Sequence, residues 1–253
     1  MENVSFVGRG RYAHIDKRVA VRISNCDHMV TMHRAVLEVE RKFAGFAVPR
    51  LTADAGTPGF RDLRYLGQQS FTDIYYDGDK LASNGAWLRK RRLDGKMPTW
   101  EAKCRRGGTF INSAFEEINY VRSIAALVGD MTGRRDTSTN AFGLKIIASL
   151  TTNRKSWCAD DRFKIVLDLM DFGHQVGEVE QERTIMLPYR QGCNFDVAAW
   201  KRTIARRMDT EILDFMNHYH WAFRKEVPKG KLTAYFERHC QVQKALSVTP
   251  AQR

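Results

Sequence analysis

The sequence predicts an α+β protein in which an antiparallel sheet is packed by a few helices. Three observations predict this class: charged and apolar residues alternate in many short segments, turn sequences such as YDGDK, LDGKMP and DFGH separate them, and longer segments show helical periodicity. With 253 residues and 43% hydrophobic content, the chain can bury an ordinary core. These patterns alone leave a β-barrel and a β-sandwich open.

Each predicted strand is a short segment in which alternate residues differ in polarity. Because successive side chains of a strand point to opposite faces, such a segment presents a different chemistry to each side of the sheet. In chain order the predicted strands are 36–43, 69–77, 87–92, 99–104, 115–120, 148–157, 162–171 and 174–185.

Helical spacing predicts helices at 121–130 and 196–218, and within part of 51–66. In the segment 196–218 a basic face lies opposite an apolar one, which is typical of a helix that docks on a sheet. The apolar face is formed by Ile204, Met208, Ile212 and Phe215.

The two ends of the chain lack the pattern of the middle. Residues 1–32 are basic and poorly patterned, and we treat them as an N-terminal extension that need not be ordered; residues 33–240 are the predicted domain and residues 241–253 a C-terminal tail. No segment approaches the roughly 20 apolar residues that span a bilayer, and the N-terminus has no secretory h-region. The five scattered cysteines lack C-x-x-C spacing, which predicts free thiols in a reducing compartment. We therefore expect a cytoplasmic protein with no membrane partner.

The segment HRAVLEVERKFAG, residues 33–45, places charges at alternate positions. In a strand, Glu38, Glu40 and Lys42 share one face. On a helix the two glutamates would lie about 200° apart and could not act on one ligand. The strand interpretation therefore offers a chemical role for these residues.

Similar ionic faces recur in other predicted strands, and they define an acidic and a basic group. The residues that share a face are Arg89 with Arg91, Glu101 with Lys103, and Glu178 with Glu180 and Glu182. The acidic group comprises Glu38, Glu40, Glu117, Asp168, Glu178 and Glu180, and the basic group comprises Lys42, Arg89, Arg91, Lys103 and Arg154.

These faces have two interpretations. An antiparallel sheet routinely exposes charged residues on its solvent face. Alternatively, the charges line a closed barrel, where each unmatched charge costs several kcal/mol. Such an interior is tolerable only if it stays wet or binds a highly charged ligand, and it would then be a site.

The net charge of +12 directs attention to anionic partners: nucleic acid, a membrane surface or a small polyanion. Paired carboxylates supply the hard oxygen ligands that Mg²⁺ or Mn²⁺ prefers, while guanidinium and ammonium groups match phosphate oxygens. A metal ion and a polyphosphate together suffice for hydrolysis without a covalent nucleophile. The sequence has no P-loop and no Gly-rich dinucleotide turn that would favour another chemistry.

The segment EVERK, residues 38–42, has the ExExK pattern of the CYTH superfamily, the triphosphate tunnel metalloenzymes. Further segments follow in the same order and at similar spacing, and together they resemble animal-type thiamine triphosphatases over residues 36 to 238. These segments are FTDIYYD (71–77), WLRKR (87–91), WEAKC (100–104), TTNRKSW (151–157), LDLMDFGHQVGEVE (167–180) and GKLTAYFER (230–238).

The resemblance implies a closed, antiparallel, eight-stranded barrel that hydrolyses thiamine triphosphate to thiamine diphosphate and phosphate with Mg²⁺, or Mn²⁺, as cofactor. It also implies a monomer whose partner is thiamine triphosphate or another small triphosphate, and not nucleic acid. The implied catalytic residues are Glu38, Glu40, Lys42, Glu178 and Glu180, and Asp168 joins the four glutamates as a metal ligand. The implied substrate-binding residues are Lys42, Arg89, Arg91, Lys103, Arg154 and Lys231.

Two features qualify the resemblance. The related sequences carry two aspartates before DFG, whereas here the first position is Val166 and only Asp168 remains. Trp87 shares a face with Arg89 and Arg91, and it is predicted either to stack on a thiamine ring or to pack at the barrel end. Inorganic tripolyphosphatase is the alternative enzyme, ahead of adenylate cyclase or RNA triphosphatase activity. A non-catalytic polyphosphate- or RNA-binding module is the alternative outside the enzymes.

Overall fold

The computed structural model describes residues 19–21, 30–78, 80–134, 140–189 and 196–247. Their strands are β1 (Val19–Val21), β2 (Val30–Phe43), β3 (Leu63–Asp77), β4 (Ala86–Leu93), β5 (Thr99–Gly108), β6 (Asn112–Ile118), β7 (Lys145–Ala159), β8 (Phe163–Met170) and β9 (Gln175–Tyr189). Their α-helices are α1 (Val121–Thr132), α2 (Val197–His218) and α3 (Lys231–Ser247).

The strands form one sheet in the order β1-β2-β6-β5-β4-β3-β7-β8-β9, and β2 also pairs with β9. This second pairing closes the eight strands β2 to β9 into an antiparallel barrel. The structure therefore confirms the eight predicted strands and the closed barrel, and it excludes the sandwich.

By compactness the chain divides into two units. The first comprises residues 1–34 and 186–195; among its described residues, Val19–Val21 pairs antiparallel with the segment 30–32. The second comprises residues 35–185 and 196–253, and it holds all the ionic residues considered below. Most of the predicted extension 1–32, and residues 248–253 of the predicted tail, lie outside the described residues.

The helices at 121–130 and 196–218 are confirmed as α1 and α2. Asp196 caps α2, because its side chain accepts a hydrogen bond of 2.8 Å from the backbone N–H of Ala199. The buried face of α2 consists of Ala205, Met208, Ile212 and Phe215.

The helix predicted within 51–66 is wrong. Turns and bends occupy residues 51–62, and β3 begins at Leu63. Gly56, Pro58 and Gly59 interrupt the helical pattern there, and Gly56 also allows close packing: a Cβ on it would lie 2.1 Å from the indole of Trp221. The sequence pattern did not predict α3.

The hydrophobic core lies between the outer face of the barrel and the helices. Leu88 of β4 and Ala102 of β5 pack with Ile124 and Val128 of α1, and all four are almost fully buried. Burying each larger side chain contributes about 1.5–3 kcal/mol. Because these outer residues alternate with charged ones, packing of the helices directs the charged side chains of the same strands inward.

Two further expectations concern the cysteines and the membrane. Cys104, Cys158 and Cys240 are free thiols, as predicted, while Cys26 and Cys193 lie outside the described residues. Among the described helices, none has the length and apolar character needed to cross a membrane.

Candidate active site

Four glutamates lie buried on neighbouring strands of the barrel. Glu38 and Glu40 belong to β2, Glu178 and Glu180 belong to β9, and each has 4% to 8% of its surface exposed. The residue between the first two, Val39, is part of the buried core outside the barrel. Alternation along each strand therefore places the carboxylates on the inner face.

Two lysines connect these carboxylates. Lys42 contacts Glu40 and lies 3.5 Å from a carboxylate oxygen of Glu178, so it joins β2 to β9. Lys103 of β5 likewise contacts carboxylates of two strands, β2 and β6. The carboxylates around Lys103 are Glu38 in direct contact, Glu40 at 3.5 Å and Glu117 at 3.4 Å.

Two arginines of β4 are held by acids on the neighbouring strands. Arg91 donates from Nε and Nη2 to the two carboxylate oxygens of Asp73 at 2.8 and 2.7 Å. Arg89 donates to Glu101 at 2.9 and 2.7 Å and lies 3.6 Å from Asp73. Burial alone would raise the pKa of Asp73, but its bonds to Arg91 and the charge of Arg89 lower it. Asp73 therefore stays ionised and fixes the guanidinium group of Arg91, while Glu101 fixes that of Arg89.

A third arginine and a lysine meet at Asp168, which is fully buried. Arg154, opposite Asp168 in the β7–β8 register, donates two hydrogen bonds of 2.7 Å to it. Arg154 also lies 3.9 Å from Glu178 and 3.8 Å from Glu180. Lys231, the first residue of α3, contacts the same aspartate. Although burial opposes the shift, the charge of Lys231 and the bonds from Arg154 lower the pKa of Asp168.

The pKa values of Glu38 and Glu40 on β2 and of Glu178 on β9 are shifted in opposite directions. Burial raises the pKa of Glu38 and of Glu40, and the negative charge of Glu178 raises that of Glu40 further. Burial acts on Glu178 as well, but Lys42 and Lys231 hold its pKa far below the usual range. Glu40 is therefore crowded by a like charge, whereas the negative charge of Glu178 is compensated by neighbouring cations.

The lysines stay charged although they are buried. Burial lowers the pKa of Lys103, but the carboxylates of Glu38 and Glu40 outweigh it and raise the pKa well above its ordinary value. Glu178 and Glu40 likewise raise the pKa of Lys42 against the effect of burial. The inner face therefore carries permanent positive charge at neutral pH.

The fit of this site to a metal ion rests on its donor chemistry. Among the described residues, no three Asp, Glu, His or Cys side chains converge on one point, because lysines and arginines separate the carboxylates. The donors are nevertheless hard oxygens on adjoining strands, and Glu40 and Glu178 repel each other. A divalent cation relieves such repulsion, so the donor set fits Mg²⁺ or Mn²⁺.

One end of the barrel is closed by apolar side chains. Inner-face residues of four strands form a buried cluster, and Leu232 and Tyr235 of α3 pack against it. The cluster consists of Tyr75, Ala148, Leu150, Met170 and Val176. Val166, which alternates with Asp168 on β8 and pairs with Glu178 in register, is also fully buried. Val166 therefore places a hydrocarbon side chain on the inner wall, where the related sequences carry an aspartate carboxylate.

The sequence analysis missed Asp73 as a site residue, and it assigned no role to Glu101. Asp73 stands alone between Phe71 and Tyr75 on its face of β3, so no pair of like charges drew attention to it. Its importance depends on the register, which places it directly opposite Arg91. A search for single acids opposite paired arginines would have found it.

Trp87 lies on the inner face near a second aromatic residue. Its ring meets that of Phe115 nearly perpendicularly, with 5.7 Å between the centroids. The guanidinium group of Arg105 lies 5.2 Å from the centroid of Trp87. The stacking of Trp87 on a substrate ring stays a prediction.

Much of this chain is similar to known proteins. A family model for the CYTH domain matches residues 37–185. Thiamine-triphosphatase from Homo sapiens is 32% identical over 170 residues, which cover 59% of this chain and 69% of that protein, and the same enzyme from Macaca fascicularis is 31% identical over equal shares. The solved structure of a Pyrococcus horikoshii OT3 protein aligns with a TM-score of 0.47 and 15% identity, covering 79% of this chain and 99% of that one. The chain belongs to the CYTH domain family.

Proposed function

We propose that this protein hydrolyses thiamine triphosphate to thiamine diphosphate and phosphate, inside the barrel and with a divalent metal ion. The observation that carries the proposal is the closed barrel whose inner face combines buried carboxylates with six lysine and arginine side chains. Removing so many charges from water is costly unless a highly charged ligand is bound there. The similarity to thiamine-triphosphatases supports thiamine triphosphate as that ligand.

The basic residues bind the triphosphate in this proposal. Guanidinium groups offer planar pairs of N–H donors that match phosphate oxygens, and ammonium groups act as point charges. Asp73, Glu101 and Asp168 hold the guanidinium groups of Arg91, Arg89 and Arg154 in fixed orientation, which reduces the reorganisation needed in the reaction. The six substrate-binding residues are Lys42, Arg89, Arg91, Lys103, Arg154 and Lys231.

The acidic residues hold the metal ion. When bound, Mg²⁺ or Mn²⁺ supplies Lewis acidity that polarises a phosphoryl oxygen and neutralises charge. Lys42 remains protonated beside Glu40 and Glu178 and offers a further positive charge to the reacting phosphate. The proposed metal ligands are Glu38, Glu40, Asp168, Glu178 and Glu180.

A substrate panel tests this function. The value of kcat/KM is measured by phosphate release for thiamine triphosphate, tripolyphosphate and ATP, each with Mg²⁺, Mn²⁺ or EDTA. We expect metal-dependent release that is fastest with thiamine triphosphate. Glu40→Gln protein purified in parallel controls for contaminating phosphatases, because its activity should be lost.

The other outcomes separate the alternatives. Faster turnover of tripolyphosphate than of thiamine triphosphate would favour the inorganic tripolyphosphatase. Faster turnover of ATP than of both would reject a nucleoside-free substrate. Tight binding of tripolyphosphate without phosphate release in any metal would reject the enzyme and favour a binding module.

A further inference from the structure

Thr152 of β7 places a hydroxyl group on the inner face of the barrel. It is fully buried, and it alternates with Leu150 and Arg154 on the same side of its strand. In register it lies between Phe71 of β3 and Met170 of β8. The side chain therefore belongs to the inner wall, although the ionic network described above does not include it.

The hydroxyl oxygen of Thr152 is buried and has no hydrogen-bond partner among the described residues. Its neighbour Thr151, on the outer face of β7, differs in this respect, because its hydroxyl shares a hydrogen bond of 3.1 Å with that of Thr72. Buried polar atoms in folded proteins nearly always have a partner. The inner hydroxyl therefore points to a partner that the protein itself does not supply.

Two acids flank Thr152 on the adjoining strands. Asp73 on β3 and Asp168 on β8 are each two residues away from the residue that pairs with Thr152. Lys231 contacts Asp168, and although burial opposes these shifts, its charge helps to lower the pKa of Asp73 as well as that of Asp168. Because β7 lies between β3 and β8, an ammonium group that acts on both acids lies over the inner face of β7. Thr152 is therefore close to Lys231 and to Arg154, which are two of the proposed phosphate-binding cations.

An oxygen of a bound phosphate would supply the missing partner. Each of the two flanking acids already binds an arginine through both of its carboxylate oxygens. A phosphate group that binds to Lys231 and Arg154 would bring further anionic oxygens to the same part of the inner face. Because a hydroxyl hydrogen rotates to meet an acceptor, Thr152 can donate to such an oxygen.

We propose that Thr152 is a further substrate-binding residue, whose hydroxyl group donates a hydrogen bond to an oxygen of the bound triphosphate. This inference rests on the proposed function in that it assumes a triphosphate held by the inner cations. Because the contact is made to phosphate, it contributes equally to the binding of thiamine triphosphate and of tripolyphosphate.

The test compares Thr152→Val with Thr151→Val. Valine has nearly the shape of threonine but carries a methyl group in place of the hydroxyl. Thr151 is the matched control, because its hydroxyl lies on the outer face and has a partner within the protein. For each variant, kcat/KM is measured with thiamine triphosphate and with tripolyphosphate, and the midpoint of urea unfolding is measured in EDTA.

The two variants should behave in opposite ways. We expect Thr152→Val to lower kcat/KM on the order of 10-fold or more with both triphosphates, the size of one hydrogen bond to a charged group. Its urea midpoint should stay the same or rise, because no hydrogen bond within the protein is lost. Thr151→Val should lower the urea midpoint and leave kcat/KM unchanged. Thr152→Ser keeps the hydroxyl, so its kcat/KM should exceed that of Thr152→Val.

Three results would overturn the inference. The first is a Thr152→Val protein with the kcat/KM of the wild type. The second is a lowered urea midpoint or a failure of this variant to fold, because the hydroxyl would then have a partner inside the protein. The third is a loss confined to thiamine triphosphate, because a contact to phosphate must affect both compounds.

A binding measurement separates this inference from the proposed function. Dissociation constants for tripolyphosphate and thiamine triphosphate are determined by calorimetry in EDTA. If the wild type hydrolyses neither compound but Thr152→Val weakens the binding of both, the proposed function fails and the role of Thr152 stands. If the wild type hydrolyses thiamine triphosphate and Thr152→Val changes neither kcat/KM nor the dissociation constants, the role of Thr152 fails and the function stands.

Discussion

The two faces of the barrel wall both carry ion pairs, but the pairs are built differently. On the outer face, Arg41 of β2 donates to Asp209 of α2 at 2.8 and 2.9 Å, and it makes no other ion pair among the described residues. On the inner face, the neighbouring residues Glu40 and Lys42 share their partners with β5 and β9. Arg41 thus connects the barrel to α2, whereas its neighbours Glu40 and Lys42 belong to the ionic network of the inner face.

The difference lies in how completely each charge is matched. Glu116 on the outer face of β6 receives Lys201 at 2.7 Å and Arg106 at 2.8 Å, and these cations lower its pKa although burial opposes them. Glu40 on the inner face is buried beside another acid, which raises its pKa. The ion pairs of Glu116 should therefore stabilise the fold, whereas the charge of Glu40 should cost stability and serve binding.

The largest effect is expected when an inner arginine is removed and its outer neighbour serves as the control. Arg91→Ala should raise KM and lower kcat, a loss of roughly 2–4 kcal/mol in transition-state stabilisation, because in the proposed function the guanidinium group contacts oxygens whose charge changes in the reaction. Arg89→Ala should behave alike. Lys90→Ala should change little, because Lys90 lies on the outer face, 5.4 Å from the ring centroid of Trp100. Equal losses at 89, 90 and 91 would show that the two faces do not differ in function.

The same comparison shows what the sequence could and could not predict. Alternation is a local property, so it revealed the eight strands and which acids and bases share a face, but it left open whether that face is exposed to solvent or lines a barrel. Asp73 could not be assigned, because its role depends on the register that sets it opposite Arg91. Lys231 was identified by resemblance alone, because it reaches the site from α3, a helix outside the alternating strands that the pattern revealed. The helix predicted within 51–66 failed because Gly56, Pro58 and Gly59 favour turns over the apparent period.

A smaller effect is expected from pH, with opposite signs for Glu116 on the outer face and Glu40 on the inner face. The folded pKa of Glu116 is lowered from 4.5, so its stabilising contribution is present above pH 4.5 and is lost as the pH falls through the folded value. The folded pKa of Glu40 is raised from 4.5, so its contribution is present below pH 4.5 and is lost as the pH rises through the folded value. Urea unfolding in EDTA between pH 3 and 8 measures both.

The pH experiment uses glutamine variants to isolate each residue. The stability difference between wild type and Glu116→Gln should shrink as the pH falls below about 4.5. The difference for Glu40→Gln should instead grow in favour of the variant as the pH rises above about 4.5. Curves of the same sign for both variants would contradict the opposite charge environments of Glu40 and Glu116.

The most direct test of the central claim measures activity and stability together in Glu40→Gln and Glu116→Gln. We expect Glu40→Gln to lose about 100-fold or more of its activity, to recover part of it at higher Mg²⁺ or Mn²⁺, and to be at least as stable as wild type in EDTA. Glu116→Gln should do the reverse: it should lose about 1–3 kcal/mol of unfolding free energy and keep its activity. Near-normal turnover by a folded Glu40→Gln protein at low metal concentration would contradict the claim that the inner face of the barrel is the active site.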